Sequence, residues 1–338
     1  MGHPASLLVA TESATKIIAS VWPPEKWRDI SVLIGVSGGG DSVALAILLH
    51  RLRGTASGKI TLAHFDHRLR AEAVAAEKST VADLAKSLRI EFISGQAPDI
   101  PSLSVSENLL RDQRFNFFAD AMRNTGARYL ALAHTREDQV ETVLQRILRG
   151  SGLRGLSGIH PFRSFGEDWV IARPLLGASK VLLRDVLAEH QAAYHEDATN
   201  FDMRWVRNWM RHELLPSLQS RYEQAPAAIV RLSQQADEAS AALQIWASRL
   251  SDRSVRFTTT KIEIDLEPLA DTPEIVIREM LYLIWQHQDW PLRAMSFDHW
   301  QAVSQGLTLA GETLAFDLPG LIHFTCSGKV ATLCRDEC

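Results

Sequence analysis

An apolar run from Ile30 leads straight into Ser37-Gly38-Gly39-Gly40-Asp41-Ser42 and then into a stretch of helical period. A strand feeding a glycine-rich turn and a helix puts that turn at the carboxyl end of an open α/β sheet, where ligands collect. The free N–H groups and the dipole of the helix start favour a phosphate there. Three consecutive glycines let the backbone come close to phosphate oxygens and take up positive φ, at an entropic cost that a plain capped turn would not need. Ser37 and Ser42 add hydroxyl donors. Asp41 would repel a phosphate unless a divalent cation lay between them, so Mg²⁺ is implied. The loop is neither G-x-x-x-x-G-K-[ST] nor G-x-G-x-x-G, which disfavours a P-loop NTPase and a dinucleotide dehydrogenase.

From Ile30 to about Arg149, short β-rich runs alternate with longer helical patterns. This predicts βαβ units and a parallel sheet covered by helices on both faces. Strands are expected at 30–36, 59–65, 90–94 and 128–133, and helices at 42–53, 71–89, 105–124 and 135–149. The third helix opens with a Ser104-x-x-Glu107 capping box. A strand at 169–172 and a helix at 179–191 extend the same unit. Residues 204–215 look helical, and the prolines at 216 and 226 mark the expected seam. Beyond it, 227–250 and 273–286 read as helices, while 256–266 and the alternating runs near 308–332 read as strands. The expected division is a larger α/β domain, 1–218, and a smaller α+β domain, 219–338.

The 338 residues are 46% hydrophobic and 22% charged, the balance of a soluble globular protein rather than a disordered or fibrous one. With 36 Lys and Arg against 40 Asp and Glu the net charge is −4, so bulk charge does not hold a nucleic acid and a local patch would have to. Residues 146–221 carry 11 basic against 8 acidic side chains, a local +3 that leaves −7 to the remainder. There Arg149, Arg154, Arg204, Arg207 and Arg211 lie among glycines with Trp205 and Trp209, a composition suited to phosphate contact and base stacking. The plain alternative is a solvated helix face with tryptophans in the core. The apolar run Val43 to Leu49 is far short of the ~20 residues that cross a bilayer. Cys326, Cys334 and Cys338 are the only cysteines, the wrong number and placement for a disulfide framework, and no secretory signal is evident. A cytoplasmic protein with no membrane association is expected.

Ser-Gly-Gly-x-Asp-Ser after the first strand resembles the PP-loop of the N-type ATP pyrophosphatases, a superfamily of adenine nucleotide alpha hydrolase-like fold. Further stretches narrow the resemblance. They are Ala63-His64-Phe65-Asp66-His67-Arg68-Leu69-Arg70, Ala133-His134-Thr135-Arg136-Glu137-Asp138-Gln139-Val140-Glu141-Thr142 and Leu148-Arg149-Gly150-Ser151-Gly152-Leu153-Arg154-Gly155-Leu156. Arg173-Pro174-Leu175-Leu176, Glu196-Asp197-Ala198-Thr199-Asn200 and Arg207-Asn208-Trp209-Met210-Arg211 follow. In this order and spacing, over about 30–218, the chain resembles the tRNA(Ile)-lysidine synthetase family. It departs at Leu110, where that family has a small residue, and at Phe115, where Tyr is common. The resemblance implies an ATP-dependent ligase that adenylates the wobble cytidine of an isoleucine tRNA with a CAU anticodon. Free lysine is then joined to carbon 2 of the base, releasing AMP.

On this reading Ser37, Gly38, Gly39, Gly40, Asp41 and Ser42 hold the ATP phosphates, and Asp41 with Asp138 binds Mg²⁺. Asp66, His67, Arg111, His134, Asp138 and Glu141 are candidates for catalysis or lysine binding. Asp138 and Glu141 share a helix face, which suits a cation and an amine; Thr135-x-x-Asp138 is equally a helix cap. Glu107, Arg111 and Arg114 would form a surface ion-pair stripe without any function. A PP-loop tRNA thiolase is the competing enzyme, although thiolases of this superfamily need cysteines and none lies before Cys326. A non-catalytic module that binds ATP and RNA is the alternative outside enzymes.

Overall fold

The computed structural model describes residues 8–66, 71–98, 107–195, 206–308 and 313–336. They pack as two units, Met1–Ser233 and Gln234–Cys338.

In the first unit, β1 (Val32–Gly35), β2 (Ile60–Asp66), β3 (Glu91–Gln96), β4 (Tyr129–Ala131), β5 (Phe162–Phe165) and β6 (Trp169–Ala172) form one sheet. Its order is β3-β2-β1-β4-β6-β5, parallel except for β5, which pairs antiparallel with β6. β1 is central and apolar on both faces because helices cover both. Val32 and Ile34 pack with α1 (Val9–Val21), α2 (Gly40–Arg53) and α7 (Lys180–Glu189), whereas Leu33 packs with Phe118, Ala121 and Met122 of α4 (Glu107–Thr125). α3 (Ala71–Leu88) and α5 (Arg136–Leu148) complete the crossovers, and a single helical turn, α6 (Leu153–Leu156), follows α5. Every crossover returns the chain so that the loops after β1, β2, β4 and β6 gather at one edge.

The expected strands and helices of this unit are present with shifted ends. Beside the short α6, two elements have no counterpart in the pattern. α1 carries no side-chain cap of its own; the Glu189 carboxylate of α7 accepts from the N–H groups of Ala10 at 2.8 Å and Thr11 at 2.9 Å. β5 is a short, mostly exposed edge strand with no apolar alternation to reveal it.

The 204–215 prediction is also refined. α8 (Val206–Trp209) passes through a π-turn at Met210–Leu214 into α9 (Leu215–Arg221), with Pro216 inside this continuous helical run. The two units divide inside α10 (Ala225–Ser254), later than the expected break after 218, because Ile229 and Val230 pack with Val140, Leu144 and Leu215 of the first unit.

The second unit is an antiparallel sheet of order β7-β8-β11-β10-β9 with two further helices and the C-terminal part of α10, whose Ala247 and Leu250 join its core. Its strands are β7 (Val255–Phe257), β8 (Ile262–Asp265), β9 (Leu314–Leu318), β10 (Ile322–Ser327) and β11 (Val330–Arg335). α11 (Glu274–His287) buries a stripe through Val276, Ile277, Met280, Leu281 and Ile284 against Ile322, Phe324 and Cys326 of β10, joined by α12 (Phe297–Thr308). Among the described residues no helix is long and apolar enough to cross a membrane.

Candidate active site

The glycine-rich loop is closed by its own serines. Ser42 Oγ donates to the Gly39 carbonyl at 2.8 Å and accepts from the Ser37 N–H at 3.2 Å. Of the three glycines only Gly38 has positive φ, +92°, and a Cβ there would lie 3.3 Å from Glu77 Cβ. Gly40 is closely packed instead, since a Cβ would lie 3.1 Å from Leu187 and 3.2 Å from Tyr194. The loop is pinned from outside by His195, whose N–H donates to the Gly38 carbonyl at 3.0 Å while its ring hydrogen-bonds Thr80 at 2.7 Å. α2 begins at Gly40 without a side-chain cap; the Ser42 N–H turns back to the Gly39 carbonyl at 3.0 Å, and the N–H groups of Gly40 and Asp41 remain for a ligand.

Charged groups converge beside this loop. Asp41, in the first turn of α2, lies with Oδ2 3.4 Å from Lys180 Nζ at the start of α7. Burial pushes the Asp41 carboxyl up, Lys180 opposes the shift, and the negative charges of Asp138 and Glu137 add to it. Lys180 is held there because its backbone N–H donates to Glu137 at 3.0 Å. Thr135 caps α5 in a full capping box: Asp138 Oδ2 accepts from the Thr135 N–H at 2.8 Å and hydroxyl at 3.0 Å. The cap therefore aims Asp138 rather than competing with a role for it, and leaves Oδ1 3.8 Å from Arg211 Nη2. One turn on, Arg211 Nε donates to Glu141 Oε1 at 2.7 Å. Burial raises the Glu141 carboxyl from its ordinary value, with Arg211 pulling the other way.

The chain matches the PP-loop domain family over residues 10–218. It is 32% identical over 328 residues to a tRNA(Ile)-lysidine synthase of Rhodopirellula baltica, covering 86% of this chain and 83% of that protein. The chain belongs to the tRNA(Ile)-lysidine synthase family. A tRNA(Ile)-lysidine synthase of Solibacter usitatus is 35% identical over 275 residues, 80% of this chain; this chain spans 60% of that longer protein, less than two thirds. Among solved structures, a U34-tRNA thiolase from Methanococcus maripaludis with its 4Fe–4S cluster superposes with a TM-score of 0.56 at 14% identity, covering 67% of this chain and 79% of that one. At that identity the likeness is one of fold.

The other expected site residues of the first unit are placed by β2, the β4–α5 segment and α4. Asp66 ends β2 at the sheet edge that carries the loop and is 8% exposed. His134 lies in the segment between β4 and α5; burial and the cation of Arg173 push its imidazole down to about 4, with Arg114 and Arg207 acting the same way and Asp138 against them. Its Nδ1 is buried without a hydrogen-bond partner among the described residues. Arg111 and Arg114 stand on α4 around Phe115.

Of the five arginines grouped on composition, four lie among the described residues. Arg149 and Arg207 are exposed, and Arg154 lies in a turn held by Arg146, which donates to the carbonyls of Gly155 at 2.5 Å and Gly158 at 2.8 Å. Arg211 turns inward to the carboxylates of α5. His67 and Arg204 lie outside the described residues, as does the Glu107 side chain. Lys180 was not anticipated: no local motif marks it, and only the packing of α7 against α2 brings it to Asp41.

Proposed function

We propose that this chain is an ATP-dependent ligase that adenylates the wobble cytidine of CAU-anticodon isoleucine tRNA and then joins free lysine to carbon 2 of the base. The observation that supports it best is the meeting, beside one uncapped helix start, of the glycine loop, the Asp41–Lys180 pair and the Asp138–Arg211–Glu141 group.

The donor set fits Mg²⁺ carried by ATP. Asp41 and Asp138 are near enough for the charge of one to disfavour ionisation of the other. Among the described residues no group of three or more His, Cys, Asp or Glu side chains is placed to hold a metal by itself. Two carboxylates completed by substrate phosphates are the usual Mg²⁺ arrangement. When bound, Mg²⁺ would supply charge screening for the departing pyrophosphate.

The chain's own residues then divide the work. Backbone N–H groups of the loop and the hydroxyls of Ser37 and Ser42 hold the phosphates while Lys180 adds a cation. The cytidine 2-oxygen attacks the α-phosphorus as the bond to the β-phosphate breaks. The lysine side-chain amine then attacks carbon 2, and the carbon–oxygen bond to AMP breaks. At an unperturbed pKa of about 10.4, fewer than about one amine in a thousand is neutral at pH 7, so the ammonium must lose its proton in the site. Asp66, Asp138 and Glu141 supply carboxylates to bind it and receive that proton. The substrates named place the reaction in the cytoplasm.

The thiolase alternative lacks its chemistry here. The first unit contains no cysteine, and Cys326 is 1% exposed inside the core of the second. The test is to combine the protein with ATP, labelled lysine and CAU-anticodon isoleucine tRNA. Label entering the tRNA together with AMP and pyrophosphate is expected; ADP as the product overturns the reading.

A further inference from the structure

Beyond the carboxylates of α5 lies a second charged group that the reaction above leaves unused. The guanidinium carbons of Arg111, Arg114 and Arg163 lie 5.4, 5.8 and 5.8 Å from the centre of a single ring, Phe115. Arg111, Arg114 and Phe115 come from α4, whereas Arg163 comes from the edge strand β5. Arg173, the residue after β6, joins them. It is 6% exposed, gives one hydrogen bond to the His160 carbonyl at 2.9 Å, and keeps its Nε buried without a partner among the described residues. Burial, with the neighbouring cations of Arg163 and Arg111, pushes Arg173 down to about 10. Among the described residues none of the four forms an ion pair with a carboxylate.

Four like charges with no carboxylate partner among the described residues repel one another, and cation–π contact with one phenyl ring offsets only part of that repulsion. An anion relieves the rest. Guanidinium forks match the oxygens of a phosphate in geometry as well as charge.

The position selects which phosphate. β6 is two strands and β5 three strands from β1, so at about 4.8 Å per strand the group sits roughly 10–14 Å to the side of the glycine loop. The register puts Arg163 opposite Ile171 and Arg173 just past the end of β6, on the loop-bearing edge of the sheet. The group also reaches the reaction centre's flank, since Arg173 and Arg114 both act on His134.

We propose that Arg111, Arg114, Arg163 and Arg173, gathered around Phe115, bind a backbone phosphate of the substrate RNA next to the nucleotide that is adenylated. This rests on the RNA-modifying function given above. The ATP triphosphate is the competing source of the same chemistry.

The test uses the full chain and unmodified CAU-anticodon tRNA, with affinity measured from about 50 to 300 mM KCl. Arg163 is exposed on an edge strand, so Arg163→Gln removes the charge without opening the core. The expected result is a slope of log K against log salt shallower by about 0.7, the share of one single-strand phosphate, with Mg·ATP affinity unchanged. Arg163→Lys keeps the slope, and Arg111→Gln repeats the loss. An unchanged slope in Arg163→Gln overturns the proposal. So does weakened ATP affinity with an intact tRNA slope, which assigns the arginines to the triphosphate. Lysine incorporation by the unaltered protein is measured in parallel: its failure beside a reduced Arg163→Gln slope defeats the enzymatic reading and leaves the RNA site standing.

Discussion

Arg211 donates to Glu141 at 2.7 Å while its other nitrogen lies 3.8 Å from Asp138, so one guanidinium joins both carboxylates of the α5 face. It can do so because it sits in the π-turn at Met210–Leu214, where a wider turn redirects side chains between α8 and α9. The Glu141 side chain is only 2% exposed, so removing its partner strands a buried charge.

For Arg211→Ala a loss of about 3 kcal/mol is expected, the lower end for breaking a buried pair, since Arg211 is itself partly exposed. The sign with pH follows from burial. Glu141 already stands above its ordinary 4.5 in the folded protein. Without Arg211 it rises further, so the folded state holds a proton that the unfolded state gives up, and stability falls as pH climbs above 4.5. Denaturant unfolding of Arg211→Ala as a function of pH measures this, and Glu141→Gln added to it should flatten the curve. A pH-independent loss would mean that the damage is not electrostatic.

On the proposed function, Asp41 serves adenylation and not RNA binding. In Asp41→Asn the side chain keeps its shape beside Lys180 but loses the charge that a phosphate-bound cation needs. Pyrophosphate release in the presence of tRNA should fall on the order of a hundredfold or more, with tRNA affinity unchanged. Release at the unaltered rate would remove Asp41 from the site.

His134 is held neutral. Its folded value of about 4 lies below the ordinary 6.5, so the folded state binds fewer protons than the unfolded one between those limits. Its contribution to stability is complete above 6.5 and is lost as pH falls toward 4. In side-chain NMR titration one histidine should stay silent between about pH 5.5 and 8, and His134→Asn should delete that resonance. A His134 titrating near 6.5 contradicts the burial and the arginine neighbours invoked for it.

The parallel sheet and the loop were legible because they rest on local chemistry: apolar runs for strands buried on both faces, and a glycine series where the backbone had to turn. Gly38 carries the positive φ that the sequence led one to expect of all three glycines, and Gly40 is instead closely packed by Leu187 and Tyr194 of distant segments. What was not legible depends on partners far along the chain. Glu189 caps α1 across 179 residues and Arg211 meets Glu141 across 70. Lys180 reaches Asp41 only after α7 has docked on α2. Composition grouped Arg211 with arginines expected to meet RNA because charge alone does not say which way a side chain turns.

The second unit titrates in the opposite sense. β10 turns His323 outward between Asp317 of β9, its register partner, and Asp336 just past β11, whose carboxylate lies 2.9 Å away. The hydrogen bond to Asp336, then that to Asp317, raises the imidazole above 6.5. A raised histidine contributes stability that is fully present below 6.5 and is lost as pH rises through the folded value. Because the cluster is at the surface, salt should weaken it. NMR titration of His323 should give a midpoint above 6.5 that moves back toward it in Asp336→Asn and in high salt, while His134 remains silent in the same spectra. A midpoint at or below 6.5 in low salt would show that the two carboxylates do not hold the ring charged.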